Sequence, residues 1–101
     1  MRRIVAILVV SLAAFASYAD TQVRGVRAWP APDHTRIVFD VTGPIKHHIF
    51  QLSNPSRLVI DVKGTSWVAA RPTGFTTDKL VKSLRHGRRH GKDLRIVLDL
   101  H

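Results

Sequence analysis

Arg36-Ile37-Val38-Phe39-Asp40-Val41, Arg57-Leu58-Val59-Ile60-Asp61-Val62 and Arg95-Ile96-Val97-Leu98-Asp99-Leu100 are three copies of one pattern, Arg-apolar-Val-apolar-Asp-apolar. Each copy is rich in β-branched residues and bounded by turn formers, which predicts a strand. Alternate residues of a strand share a face, so Arg36, Val38 and Asp40 point one way and Ile37, Phe39 and Val41 the other. The Arg and Asp of one copy lie about 13 Å apart at roughly 3.3 Å per residue, too far to pair with each other. They can pair across strands, Arg of one copy with Asp of another. A structural ion pair at the sheet ends therefore explains these residues at least as well as a ligand contact does.

Working outward, Val23-Arg24-Gly25-Val26-Arg27 is echoed by Val81-Lys82-Ser83-Leu84-Arg85, at nearly the offset that separates Arg36 from Arg95. Two similar hairpins thus stand at the two ends of the domain. Trp29-Pro30-Ala31-Pro32-Asp33 and Thr42-Gly43-Pro44 are turns, and Ser53-Asn54-Pro55-Ser56 closes a hairpin between Ile45–Leu52 and Arg57–Val62. His86–Lys92 reads as a polar, glycine-flanked loop, and Thr77–Lys82 starts either a helix or a strand. The expectation is an all-β domain, a small β-sandwich of two similar, pseudo-symmetric sheets.

Before this domain comes a basic Met1-Arg2-Arg3, then Ile4–Phe15, in which only Ser11 is polar, then Ala16-Ser17-Tyr18-Ala19. Small residues stand three and one positions before a cut after Ala19, the pattern of a cleavable secretory signal peptide. A spanning helix needs about 20 apolar residues, more than this run supplies. The apolar Ile4-Val5-Ala6 after the arginine pair favours the general secretory route over the twin-arginine one. The expected division is residues 1–19 as leader and 20–101 as the β domain.

Composition narrows the function. The chain has 101 residues, 16 Lys+Arg against 7 Asp+Glu, no Cys, and every acid is Asp. Lack of Cys excludes a disulfide scaffold, a Cys-ligated zinc site and a thiol nucleophile. Lack of Glu removes a common general base and a usual carboxylate ligand of hydrolytic zinc. His47 and His48 are adjacent and face opposite sides of a strand, while His86 and His90 have only Asp93 near them; solvated loop histidines are the better reading. No phosphate-cradling glycine loop is present, and Ser53, Ser56 and Ser66 have no adjacent His. The sequence therefore carries no catalytic residues, no metal ligands and no cofactor site.

What remains is positive charge with aromatics. A formal charge of +9 favours an anionic partner. Arg27, Trp29 and Arg36 lie around the first hairpin, and Arg85, Arg88 and Arg89 crowd the last. If the hairpins are neighbours, these residues form one basic surface with an indole beside it. Guanidinium groups pair with carboxylates and phosphates, and indoles stack on sugar faces, which suits an acidic glycan or peptidoglycan. The competing explanation is that the basic side chains only solubilise the domain and guard its edges. Trp67 and Phe75 are expected to anchor their connection by packing.

Residues Val26–Val41, Lys46–Val62 and Leu94–Leu100 resemble the AMIN domain, a module at the N-terminus of periplasmic N-acetylmuramoyl-L-alanine amidases of Gram-negative bacteria. The likeness spans 22–100, and the Trp29–Arg36 and Leu52–Pro55 runs are specific to the amidase branch. It implies a β-sandwich of two similar sheets, a periplasmic location, peptidoglycan binding and recruitment to the division septum. Its implied partners are peptidoglycan and divisome proteins; the leader places the domain away from nucleic acid and meets the membrane only during export. Such amidases carry a separate zinc domain with His and Glu ligands, for which this chain has no counterpart. The chain reads as a non-catalytic targeting module. The alternative is protein docking, as in the AMIN domains of pilus secretins, where a β edge recruits a partner strand.

Overall fold

A computed structural model describes residues 21–72, 75 and 78–101; the expected leader and Thr77 lie outside the described residues. Seven strands follow one another: β1 (Thr21–Pro30), β2 (Thr35–Val41), β3 (His47–Leu52), β4 (Arg57–Val62), β5 (Thr65–Trp67), β6 (Val81–Arg89) and β7 (Asp93–Leu100). They form a three-stranded sheet, β2-β1-β5, and a four-stranded sheet, β3-β4-β7-β6. All neighbours are antiparallel except β1 and β5. The domain is all-β, as its periodicity implies, with one sheet facing the other.

The three repeated segments are β2, β4 and β7. Two of them are partners: β4 and β7 pair with Arg57 opposite Asp99, Val59 opposite Val97 and Asp61 opposite Arg95. The echo between the end hairpins is equally concrete. In β1–β2 the register shifts between Val23 and Gly25, and in β6–β7 between Val81 and Ser83. Beyond the shift, Arg27 faces Val38 and Trp29 faces Arg36, just as Arg85 faces Val97 and Gly87 faces Arg95. The symmetry belongs to the hairpins, however, and does not extend to whole sheets. The two sheets differ in strand number, and the short β5, parallel to β1, has no counterpart beside β6. The expectation of two similar sheets is corrected to that extent.

Turn chemistry explains the remaining differences. β6 runs on through His86, Gly87, Arg88 and Arg89, so the expected polar loop shrinks to the turn His90–Lys92. His90 and Gly91 take φ of 50° and 72° there, a reversal tight enough for the ladder to continue up to it. The segment that could have opened a helix leads into β6 instead. Asp78 is buried, and its carboxylate accepts the Thr35 hydroxyl at 2.7 Å and the Val81 amide at 3.1 Å. That ties the start of β2 to the start of β6.

The core lies where the inner faces meet. Val23, Val62, Leu94 and Ile96 form one cluster, and Phe75, Val81 and Leu98 a second. Phe75 thus anchors its connection by burial. Trp67 packs against the first cluster, and its indole N–H donates to the Ala69 carbonyl at 3.1 Å. Ile96 is 1% exposed and Ile49 is 50% exposed, although both are inward-facing isoleucines of the same sheet. Ile96→Val should therefore cost about 1 kcal/mol and lower the melting temperature by roughly 4–8 °C. Ile49→Val should stay within about 0.5 kcal/mol of wild type in the same thermal and urea melts.

Candidate functional site

Each sheet turns a polar face outward, and the repeated Arg and Asp lie on both. On the four-stranded sheet, cross-strand rows read His48–Asp61–Arg95–Gly87, Phe50–Val59–Val97–Arg85 and Leu52–Arg57–Asp99–Ser83. The middle row is apolar enough that Val59 is 2% exposed on this outward side. Asp61 is the hub. Arg95 grips it in a two-pronged pair, Nε to Oδ1 at 2.7 Å and Nη2 to Oδ2 at 2.8 Å. Arg89 adds Nη1 to Oδ2 at 3.0 Å from across β7. Asp99 is held likewise by Arg85, with bonds of 2.8 and 3.0 Å, and by the Ser83 hydroxyl at 3.0 Å.

These contacts set the protonation chemistry. Hydrogen bonding from Arg95 holds the Asp61 carboxyl below the usual carboxylate range; partial burial opposes it, and the Arg89 charge helps. Hydrogen bonding from Arg85 does the same for Asp99. At Asp78 burial pushes the carboxyl up, but bonds from Thr35 and the Val81, Leu80 and Lys79 amides outweigh it and bring it down. The cross-strand reading of the motif holds for one pair, Arg95 with Asp61. Arg57 lies opposite Asp99 in the ladder but donates to the Pro55 carbonyl, and Asp99 and Asp40 are met by Arg85 and Arg27 from outside the repeated copies.

On the three-stranded sheet the arrangement differs. Trp29 is 48% exposed, with the Arg27 guanidinium 5.3 Å and the Arg36 guanidinium 5.8 Å from its ring centroid. Both distances lie within cation–π reach. Arg27 also donates to Asp40 at 2.8 Å, the counterpart of Arg85 on Asp99. Arg36 occupies the position of Arg95, yet among the described residues it meets no carboxylate.

The six basic and aromatic candidates from the sequence thus separate. Arg27, Trp29 and Arg36 come together on one outer face. Arg85 lies on the outer face of the other sheet, so the single basic surface expected from neighbouring hairpins is not formed. Arg85 and Arg89 are engaged with Asp99 and Asp61, and Arg88 donates to the Gly91 carbonyl at 3.3 Å. His86 stacks on Trp67 with ring centroids 4.2 Å apart, a pairing no sequence signal announced. Among the described residues no group of His, Asp or Glu could hold a metal ion.

A second feature escaped the sequence reading. Between β2 and the β3–β4 side of the opposite sheet lies an open apolar cavity of about 700 Å³. Ile37, Phe39 and Val41 line one wall and Ile49, Leu58 and Ile60 the other. Its only sequence signal was the odd number of motif copies, which leaves one without a partner.

Comparison with known proteins matches residues 25–101 to the AMIN domain. The chain belongs to the AMIN domain family. It is 30% identical over 83 residues to the N-acetylmuramoyl-L-alanine amidase AmiC of Neisseria meningitidis serogroup B, covering 78% of this chain and 20% of that protein. It is 33% identical over 88 residues to AmiC of Escherichia coli O6:H1, covering 81% of this chain and 21% of that protein. The chain thus spans about one fifth of the length of the curated relatives it matches. Within this AMIN domain the repeated Arg and Asp are first of all a sheet-building device, and Arg36 beside Trp29 is the copy left over for something else.

The linkage is testable. Asp61 and Asp99 have folded-state values below their unfolded ones, so the stability they contribute is complete above about pH 4 and lost as pH falls through the lowered values. Asp61→Asn should cost about 1–3 kcal/mol at pH 7, because it takes a charge-assisted partner from Arg95 and Arg89. Thermal melts of both proteins from pH 7 to pH 2 should converge at the acid end. A constant gap across that range would mean that the Asp61 charge contributes nothing.

Proposed function

We propose that this AMIN domain is a non-catalytic, peptidoglycan-binding targeting module of the periplasm, associated with amidase action at the division septum. Family membership supports the amidase association, and the relatives' name, N-acetylmuramoyl-L-alanine amidase, points to the cell wall. The observation that carries the binding role is the outer face of β1 and β2, where an exposed indole stands between two guanidinium groups. An indole offers a flat apolar plane to a sugar ring, and guanidinium groups offer forked donors to carboxylates. Peptidoglycan presents both, as sugar rings in the glycan and carboxylates in the stem peptides.

The roles divide accordingly. Trp29 stacks on the glycan. Arg36 receives a carboxylate, and Arg27, already on Asp40, orients the indole. Arg85, Arg88 and Arg89 on β6 raise the local positive potential on the opposite sheet while remaining bonded to Asp99, Gly91 and Asp61. The arrangement moves no proton or bond, so the activity is retention at the wall.

Co-sedimentation of the domain with purified sacculi tests this. Pelleting should be saturable and weaken as salt rises, since exposed charges are screened over about 8 Å near physiological strength. The Trp29→Ala/Arg36→Ala double variant should bind at least tenfold more weakly, about 1.4 kcal/mol. Arg88→Ala should bind within about twofold of wild type, since its side chain is spent on a turn carbonyl. Equal pelleting by all three would remove the β1–β2 face from the function, and no pelleting by wild type would end the peptidoglycan reading.

A further inference from the structure

The leftover copy of the motif and the open cavity occupy the same place. β4 and β7 show how two Arg-x-Val-x-Asp strands join: antiparallel about Val59 and Val97, each Arg opposite the other strand's Asp. β2 is the counterpart of β7. It carries the same Arg-apolar-Val-apolar-Asp pattern, an equivalent hairpin partner with an equivalent register shift, and an equivalent diagonal pair, Arg27–Asp40 for Arg85–Asp99. On its far side β7 has β4 and then β3, but β2 has no neighbour among the described strands. Arg36, which corresponds to the Asp61-bound Arg95, has no carboxylate among the described residues. Beneath that open edge lies the cavity of about 700 Å³, whose floor is the apolar side of β4 and β3. Val41 and Ile49, which line it, are 37% and 50% exposed.

We infer that the β2 edge is an acceptor for a polypeptide partner, a β-hairpin of the β3–β4 kind whose inner strand carries Arg-x-Val-x-Asp. The inner strand adds to β2 antiparallel about Val38, with its Asp on Arg36 and its Arg opposite Asp40. Its alternate apolar side chains descend onto Ile49, Leu58 and Ile60. The outer strand of the hairpin covers the rest of the cavity, as β3 lies outside β4. A second copy of the folded domain does not fit this description, because its own β4 is already held between β3 and β7. A β2-to-β2 dimer would bring a second four-stranded sheet into the space under the new strands. Docking engages Arg36 as Arg95 is engaged and leaves the Trp29 indole outward, so it competes with the wall only for the Arg36 guanidinium, and a test without sacculi reads it separately from the peptidoglycan reading.

The test uses the whole chain, and a synthetic peptide of this chain's own residues 46–62 as the donor probe. No sacculi are present. Binding is followed by calorimetry, and the site by backbone amide hydrogen exchange. The expected result is one-to-one binding with new protection confined to β2. A peptide with Asp61→Arg should bind at least tenfold more weakly to wild type and regain most of that loss on the Arg36→Asp domain. The melting temperature of that variant, measured alone, should lie within a few degrees of wild type, because Arg36 is exposed, makes no ion pair among the described residues and loses only its contact with the Trp29 ring. Protection on the edges of β3, β5 or β6 instead, no rescue by the paired exchange, or no binding overturns the inference. A stable dimer of the chain without peptide, with β2 protected, overturns it in favour of self-association.

Discussion

The pairing of β4 with β7 is the constraint on which the rest depends. Two strands that each read Arg-x-Val-x-Asp can place both charges opposite unlike partners in one way only, antiparallel and centred on the Val residues. A parallel arrangement sets Arg beside Arg, and a slip of two residues strands half the charges. A slip of one residue turns Leu58, Ile60 and Val62 away from the core. Charge and hydrophobic pattern thus demand the same register, and with it fixed, β3 and β6 are carried into place by their hairpin turns. The three-stranded sheet then covers the face this pairing creates, through Val23 against Val62, Leu94 and Ile96.

That economy has a consequence for function. The same residues that build the sheet are those a reader of the sequence would nominate as ligands, and most are consumed in building it. Asp61 absorbs Arg95 and Arg89, Asp99 absorbs Arg85, and a turn carbonyl absorbs Arg88. The copy at the open edge is the exception. There the guanidinium of Arg36 rests on an indole and, among the described residues, meets no carboxylate, and no described strand supplies the edge and cavity beside it with what β4 supplies to β7. A wall-binding face and a strand-accepting edge therefore meet along β2.

Much of this was legible in the chain. Short apolar-polar alternations, separated by Pro, Gly and Asn turns, specify an all-β domain because side chains alternate faces with every residue of a strand; the short β5 lay hidden in what read as a connection. The repeat gave the equivalence of the end hairpins, down to the pair Arg27–Asp40 matching Arg85–Asp99. Spacing alone excluded Arg–Asp pairing within one copy and allowed it between copies. The grouping of Arg27, Trp29 and Arg36 was also visible, since a two-strand hairpin brings Trp29 opposite Arg36 whatever the sheet does.

What the sequence could not decide was which edges meet. Strand pairing and layer order are long-range choices, made by burial of Val23, Ile96 and Leu98 among residues far apart in the chain. For that reason the two arginine groups, adjacent in a plausible folding of the hairpins, ended on separate sheets. His86 joined Trp67 because β6 continued as strand beyond the expected loop boundary, to a turn that His90 and Gly91 close with left-handed backbone angles. The open cavity beside β2 is likewise a property of the assembled layers. Local alternation determined the strands and their faces, whereas only the packed core determined which copy of the motif was left without a partner.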